Sequence, residues 1–111
     1  MDFDEYQKLA TRTATFDGKS AEYALMYLGL GVTGEAGEIA EKLKKILRND
    51  AGVISEEKRD ALKQEIGDVL WYLSQLARVL EIPFSEAAKA NIEKTADRAA
   101  RGVIKSSGDQ R

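Results

Sequence analysis

Residues Leu25 to Ile46 read LMYLGLGVTGEAGEIAEKLKKI, and the fold turns on this run. Leu25, Leu28, Val32, Glu35, Ile39, Leu43 and Ile46 advance in steps of three or four, which is the period of one helix face. An acid, Glu35, stands near the middle of that apolar stripe, and Glu38 follows one turn later on the same side. Two carboxylates side by side on a helix repel each other unless something positive joins them.

The next periodic stretch repeats the arrangement. Leu62, Ile66, Val69, Leu73, Leu76 and Leu80 form a second regular stripe, with Glu65 on its edge and Asp68 further round the same side. If the two stretches pack antiparallel, the pairs Glu35-x-x-Glu38 and Glu65-x-x-Asp68 meet. Four carboxylates converging from two helices suit a hard divalent cation, Mg2+ with Mn2+ as a substitute. The bland alternative is that Glu38 pairs with Lys42 while Glu65 faces water. Glu35 tips the balance, because an unpaired carboxylate on a core stripe costs on the order of several kcal/mol.

Outward from this hairpin the chain reads as all-α, a four-helix bundle-like protomer. The first helix spans roughly Phe3 to Thr15, and Asp17-Gly18-Lys19-Ser20 then supplies a turn with a cap at Ser20. The second and longest helix runs to about Arg48 and breaks at Asn49-Asp50-Ala51-Gly52. Ser55 with Glu56 and Glu57 starts the third, which reaches about Leu80. Pro83 forces a boundary, Ser85 is the expected cap of the fourth, and that helix ends near Arg101. One domain covers residues 1–105, and 106–111 form a polar tail.

Composition narrows the chemistry. The chain has 111 residues, 32% charged and 43% hydrophobic, with a formal net charge of -2, which describes an ordinary single globular domain. The acidic balance argues against a nucleic acid polymer as partner. No apolar run approaches a bilayer span and the first residues lack a signal-peptide pattern, so a cytoplasmic protein with no membrane contact is expected. The chain contains no histidine and no cysteine. That removes the commonest general base, thiolate nucleophiles and zinc-thiolate sites, leaving carboxylates, amines, hydroxyls and a bound ion.

Other motifs are weaker. Gly29-x-Gly31-x-x-Gly34 has dinucleotide-fingerprint spacing but lacks the preceding strand, and Glu35 and Glu38 would repel a pyrophosphate there. The glycines, with Gly37, instead permit close helix packing or a local break. Glu41 is expected to be solvated and paired with Lys45. Asn91, Lys94, Arg98 and Arg101 share one basic face on the fourth helix, the donors that phosphate oxygens need. Trp71 lies nearly opposite the apolar stripe of its helix, among Gln64, Gly67, Ser74, Gln75 and Arg78, and is expected to fill a subunit interface, with stacking on a base as the alternative. Phe16, Tyr23 and Tyr27 are candidates for a base pocket, with core packing as the commoner fate.

Taken together, Gly34-Glu35-Ala36-Gly37-Glu38-Ile39-Ala40-Glu41, Glu65-Ile66-Gly67-Asp68 and the downstream Asn91, Lys94 and Arg98 make the chain resemble the MazG-like, all-α nucleoside triphosphate pyrophosphohydrolases. The ending Ser106-Ser107-Gly108-Asp109-Gln110-Arg111 resembles the G-S-G-D-x-R terminus of short members, with Ser106 where glycine is usual. The resemblance implies a homodimer or homotetramer with sites near subunit interfaces, and hydrolysis of a (d)NTP to (d)NMP and pyrophosphate, a house-cleaning chemistry for the nucleotide pool. On that reading Glu35, Glu38, Glu65 and Asp68 hold Mg2+, Glu38 handles the attacking water with Glu35 beside it, and Lys94 and Arg98 with Asn91 bind phosphate, with Lys42 and Lys45 as lesser candidates. Alternatives are a helical module that binds nucleotide or regulates a partner without cleaving, and a different substrate such as phosphoribosyl-ATP or a nucleoside diphosphate.

Overall fold

Each helix begins where a side chain can accept an amide that the helix itself leaves free. The computed structural model describes residues 1–102. Among them lie α1 (Phe3–Ala10), α2 (Ala21–Asp50), α3 (Glu56–Val79) and α4 (Phe84–Arg101), with no strand. The expected tail at 106–111 lies outside the described residues. Asp2 accepts from the Glu5 amide at 2.8 Å, Ser20 from that of Tyr23 at 3.1 Å and Ser55 from that of Lys58 at 3.2 Å. The caps foreseen at Ser20 and Ser55 are therefore in place.

The first helix is shorter than its pattern suggests. It gives way to a 3-10 turn at Thr11–Thr13, where Thr11 Oγ1 donates back to the Gln7 carbonyl at 2.8 Å and Thr13 Oγ1 to that of Ala10 at 3.0 Å. Hydroxyls competing for backbone carbonyls in this way loosen a helix end.

The fourth helix corrects a second expectation. Ser85 is not its cap but lies inside the helix, which starts at Phe84 after Pro83. Its free amides are taken by α1. Asp4 accepts from the Ser85 amide at 2.8 Å and from the Ser85 hydroxyl at 2.7 Å, while Gln7 Oε1 accepts from the Phe84 amide at 3.2 Å. A cap delivered from another helix carries no local sequence signal.

The long helices α2 and α3 form an antiparallel hairpin. Lys58 pairs with Asp50 beside the turn, Lys42 with Glu65 further along, and Gly31 sits against the Tyr72 ring further still. The α3 face turned to α2 is thus Lys58, Glu65, Asp68 and Tyr72. This face lies one residue, about 100° of rotation, from the apolar stripe read in the sequence. Ile66, Leu73 and Leu80 of that stripe are left 59%, 38% and 50% exposed in the protomer, whereas Leu76 and Val79 pack on the core.

The reason for the rotation lies on the other side of α3. Ser74 and Gln75, expected on a polar flank, are both 0% exposed. They are buried because α1 brings the matching groups. Gln7 Nε2 donates to the Ser74 carbonyl at 3.0 Å, Gln75 Nε2 donates to Thr11 Oγ1 at 3.2 Å, and Arg78 Nε donates to Gln75 Oε1 at 2.8 Å. Trp71 is likewise held within its own protomer. It packs against the cluster of Phe16, Ala24 and Leu28, and its Nε1 donates to the Ala10 carbonyl at 3.0 Å and to Thr13 Oγ1 at 2.9 Å. Among the described residues no buried side-chain polar atom lacks a partner. No helix of the described residues is long and apolar enough to cross a membrane.

Candidate metal centre

Because the seam of α2 and α3 is cut on the acidic side of α3, carboxylates from both helices are pressed together. Glu35, Glu65 and Asp68 each offer an oxygen within 4.8 Å of the other two. Oxygens that share one Mg2+ at about 2.1 Å lie no more than about 4.2 Å apart, so small rotamer adjustments bring this trio into one coordination sphere. Glu35 and Glu65 are half-buried and Asp68 is exposed, which leaves an open side toward solvent.

The electrostatics show an unbalanced site. Burial and then the charges of Asp68 and Glu65 push the Glu35 carboxyl above its ordinary range, with a hydrogen bond to Glu65 and the charge of Glu38 adding to the same direction. Among the described residues Lys42 meets the cluster: its Nζ lies 3.2 Å from Glu65 Oε1. That pairing differs from the bland expectation of Lys42 on Glu38. Three carboxylates offering oxygens within 4.8 Å of one another form a donor set of hard oxygen ligands, which fits a hard divalent ion.

Of the four acids singled out in the sequence, three converge. Glu38 is exposed and stands outside the close trio, though its charge is felt at Glu35. Lys45 lies 3.7 Å from Glu41, as the spacing suggested, and Lys44 approaches the same acid at 3.0 Å. Asn91 and Lys94 sit on the exposed surface of α4, and Arg98 is half-buried there. Phe16 is buried in the core, whereas Tyr23 and Tyr27 remain exposed with their rings stacked 6.1 Å apart.

Two aromatic residues beside the acids were not foreseen. Tyr72, one turn beyond Asp68, has its ring 6.2 Å from that of Tyr27 and 5.0 Å from that of Trp71, edge-on to the latter. Burial raises its phenol first, followed by the hydrogen bond to Tyr27 and then by the charges of Tyr27, Glu35 and Asp68. Tyr6 on α1 is raised by burial and by Asp68. The i, i+4 relation of Asp68 and Tyr72 was a usable signal; nothing local pointed to Tyr6.

Comparison with known proteins gives a consistent result. Residues 25–102 match the family described as the MazG nucleotide pyrophosphohydrolase domain. The chain is 46% identical to the "Gene 37 protein" of Mycobacterium phage L5 over 114 residues, covering 100% of both chains. No solved structure matches the chain.

Proposed function

Given that the chain belongs to the MazG nucleotide pyrophosphohydrolase family, we propose that it is a Mg2+-dependent pyrophosphohydrolase that converts a (d)NTP to (d)NMP and pyrophosphate, as in house-cleaning of the nucleotide pool. The observation that carries this reading is the convergence of Glu35, Glu65 and Asp68 across the α2–α3 seam.

Glu35, Glu65 and Asp68 would hold the cation, with Glu38 completing the set from the next turn. A bound Mg2+ neutralises the polyphosphate and acidifies water. Glu38, exposed at the rim, orients the attacking water and takes its proton, since the chain has no histidine. Water adds to the α-phosphorus, the bond from that phosphorus to the α,β-bridging oxygen breaks, and pyrophosphate leaves with the electron pair. Lys94 and Arg98, with Asn91, bind the phosphates, and Lys42 and Lys45 are lesser contributors. Lys42 is paired with Glu65 and would have to release it to reach a phosphate.

We further infer a homodimer or homotetramer. Ile66, Leu73 and Leu80 repeat every seven residues on the outer face of α3, and Met26, Leu30 and Leu47 stand outward on α2. Only seven hydrophobic residues are buried among those described, so assembly is the available route to bury these faces. Size-exclusion chromatography with light scattering tests this: Leu73→Glu is expected to shift the assembly toward monomer, and a monomeric wild type would refute it.

The reaction itself is tested by incubating the protein with Mg2+ and a panel of (d)NTPs and resolving products. NMP with pyrophosphate is the expected result. Orthophosphate with NDP, or no turnover across the panel, would overturn the assignment; nucleotide binding without turnover would indicate a regulatory module instead.

A further inference from the structure

Four glycines lie along α2 at Gly29, Gly31, Gly34 and Gly37, and the structure gives only one of them a steric reason. A Cβ built on Gly29, Gly34 or Gly37 meets nothing within 4 Å outside its own helix backbone. A Cβ on Gly31 would fall closer than 3.0 Å to Cδ1, Cε1 and Cζ of Tyr72, a separation that real Cβ atoms essentially never show. The Tyr72 ring is thus seated in a notch that the missing side chain creates.

That ring has little freedom to retreat. It is wedged edge-on against Trp71, whose indole is tied to the Ala10 carbonyl and Thr13 hydroxyl, and it packs against the cluster of Phe16, Ala24 and Leu28. Its centroid lies 6.2 Å from that of the Tyr27 ring on α2. The notch also has a fixed relation to the acids: Glu35 is one turn after Gly31, and Asp68 is one turn before Tyr72. Any separation of the helices forced at Gly31 is transmitted through a single turn to the carboxylates that must share one ion.

We propose that Gly31 is a positioning residue for the cation site: by admitting the Tyr72 ring it sets α2 and α3 at the spacing that lets Glu35 and Asp68 act on the same metal. This rests on the reading of Glu35, Glu65 and Asp68 as metal ligands, and adds a residue that touches neither metal nor substrate. A methyl group at Gly31 pushes the seam open, and the site loses affinity while keeping all its ligands.

The test measures Mn2+ affinity of the full chain without nucleotide, by electron paramagnetic resonance of the free ion, so that turnover does not enter. Gly31→Ala is expected to weaken binding by about tenfold or more, in the range for changes to groups that support ligands. Gly29→Ala, where the methyl meets nothing, is expected to bind as wild type. Adding Tyr72→Leu to Gly31→Ala removes the collision and is expected to recover most of the loss. Wild-type affinity in Gly31→Ala, or no recovery in the double variant, would overturn the proposal. Should Gly31→Ala alone fail to fold, the double variant decides: folded with affinity near that of Tyr72→Leu supports the notch, and unfolded or non-binding refutes it. Absence of Mn2+ binding in the wild type would instead sink the metal-site reading itself.

Discussion

The two seams of α3 place polar groups in the interior in opposite ways. Toward α1, Ser74 and Gln75 are fully enclosed, yet Gln7, Thr11, Arg78 and backbone carbonyls answer them. Toward α2, Glu35 and Glu65 are only half-buried and crowd with Asp68, and Lys42 pairs with Glu65. The first seam is answered within the described residues, its one charge, Arg78, being paired with Asp17, so it specifies which way α3 is rotated. The second gathers Glu35, Glu65 and Asp68 within reach of one another, the donor set that the proposed cation would complete. Polar groups satisfied inside a fold indicate structure, whereas charges left unbalanced indicate a ligand.

The sharpest way to break this contrast is at the acids. Asp68→Ala is expected to reduce Mg2+-dependent turnover by at least about 10²-fold, beyond the usual cost of losing a supporting partner, while helix content by circular dichroism stays unchanged. Wild-type turnover would show that the second seam is not the site.

The first seam should respond in the reverse sense. Gln75→Leu removes the acceptor of Arg78 Nε and a donor to the Thr11 hydroxyl, leaving Arg78 with Asp17 and Thr11 with the Gln7 carbonyl, and is expected to cost about 1–3 kcal/mol in denaturant unfolding, with Mn2+ affinity retained. Lost metal affinity in a folded Gln75→Leu would mean the seams are not independent.

A smaller effect sharpens the comparison within the acidic seam. Glu35→Gln removes one of three mutually repelling charges, so the metal-free protein is expected to melt at a higher temperature than wild type, while the rise in melting temperature on adding Mg2+ shrinks or vanishes. A lower metal-free melting temperature would show that Glu35 is a satisfied structural group.

The smallest effect concerns Asp4, whose carboxyl is held below its ordinary 3.8 by the hydrogen bonds from the Ser85 hydroxyl and then its amide. A depressed folded-state value means the stabilisation is fully present above pH 3.8 and is lost as pH falls through the lower folded value. Asp4→Ala is therefore expected to lower the melting temperature slightly near neutrality, with the difference from wild type closing only in strong acid. A gap that persists unchanged through the acid range would assign the effect to something other than the ionised carboxylate.

Much of the plan was legible in one dimension. The periods of α2 and α3 announced two long helices, and Ser20 and Ser55 announced their starts, because hydroxyl caps act over three residues. The acidic pairs were legible for the same reason: a carboxylate on a helical stripe violates the pattern around it. What failed to show were relations between distant segments. The cap of α4 comes from Asp4 and Gln7, more than seventy residues away in sequence. Trp71, which looked outward on a helical wheel, is drawn in by Ala10 and Thr13. The notch at Gly31 has no signature among four similarly placed glycines.

Local chemistry alone determined that this chain would be helical, where its long rods begin, and that Glu35, Glu38, Glu65 and Asp68 would stand on neighbouring helices. Hydrogen-bonding reach and periodicity both operate within a turn or two, so a single strand of letters suffices for them. Only the tertiary structure decided which face of α3 meets α2. That choice depends on matching Gln75 and Ser74 to α1 and seating Tyr72 on Gly31, and packing energies of this kind exist only once separate helices touch.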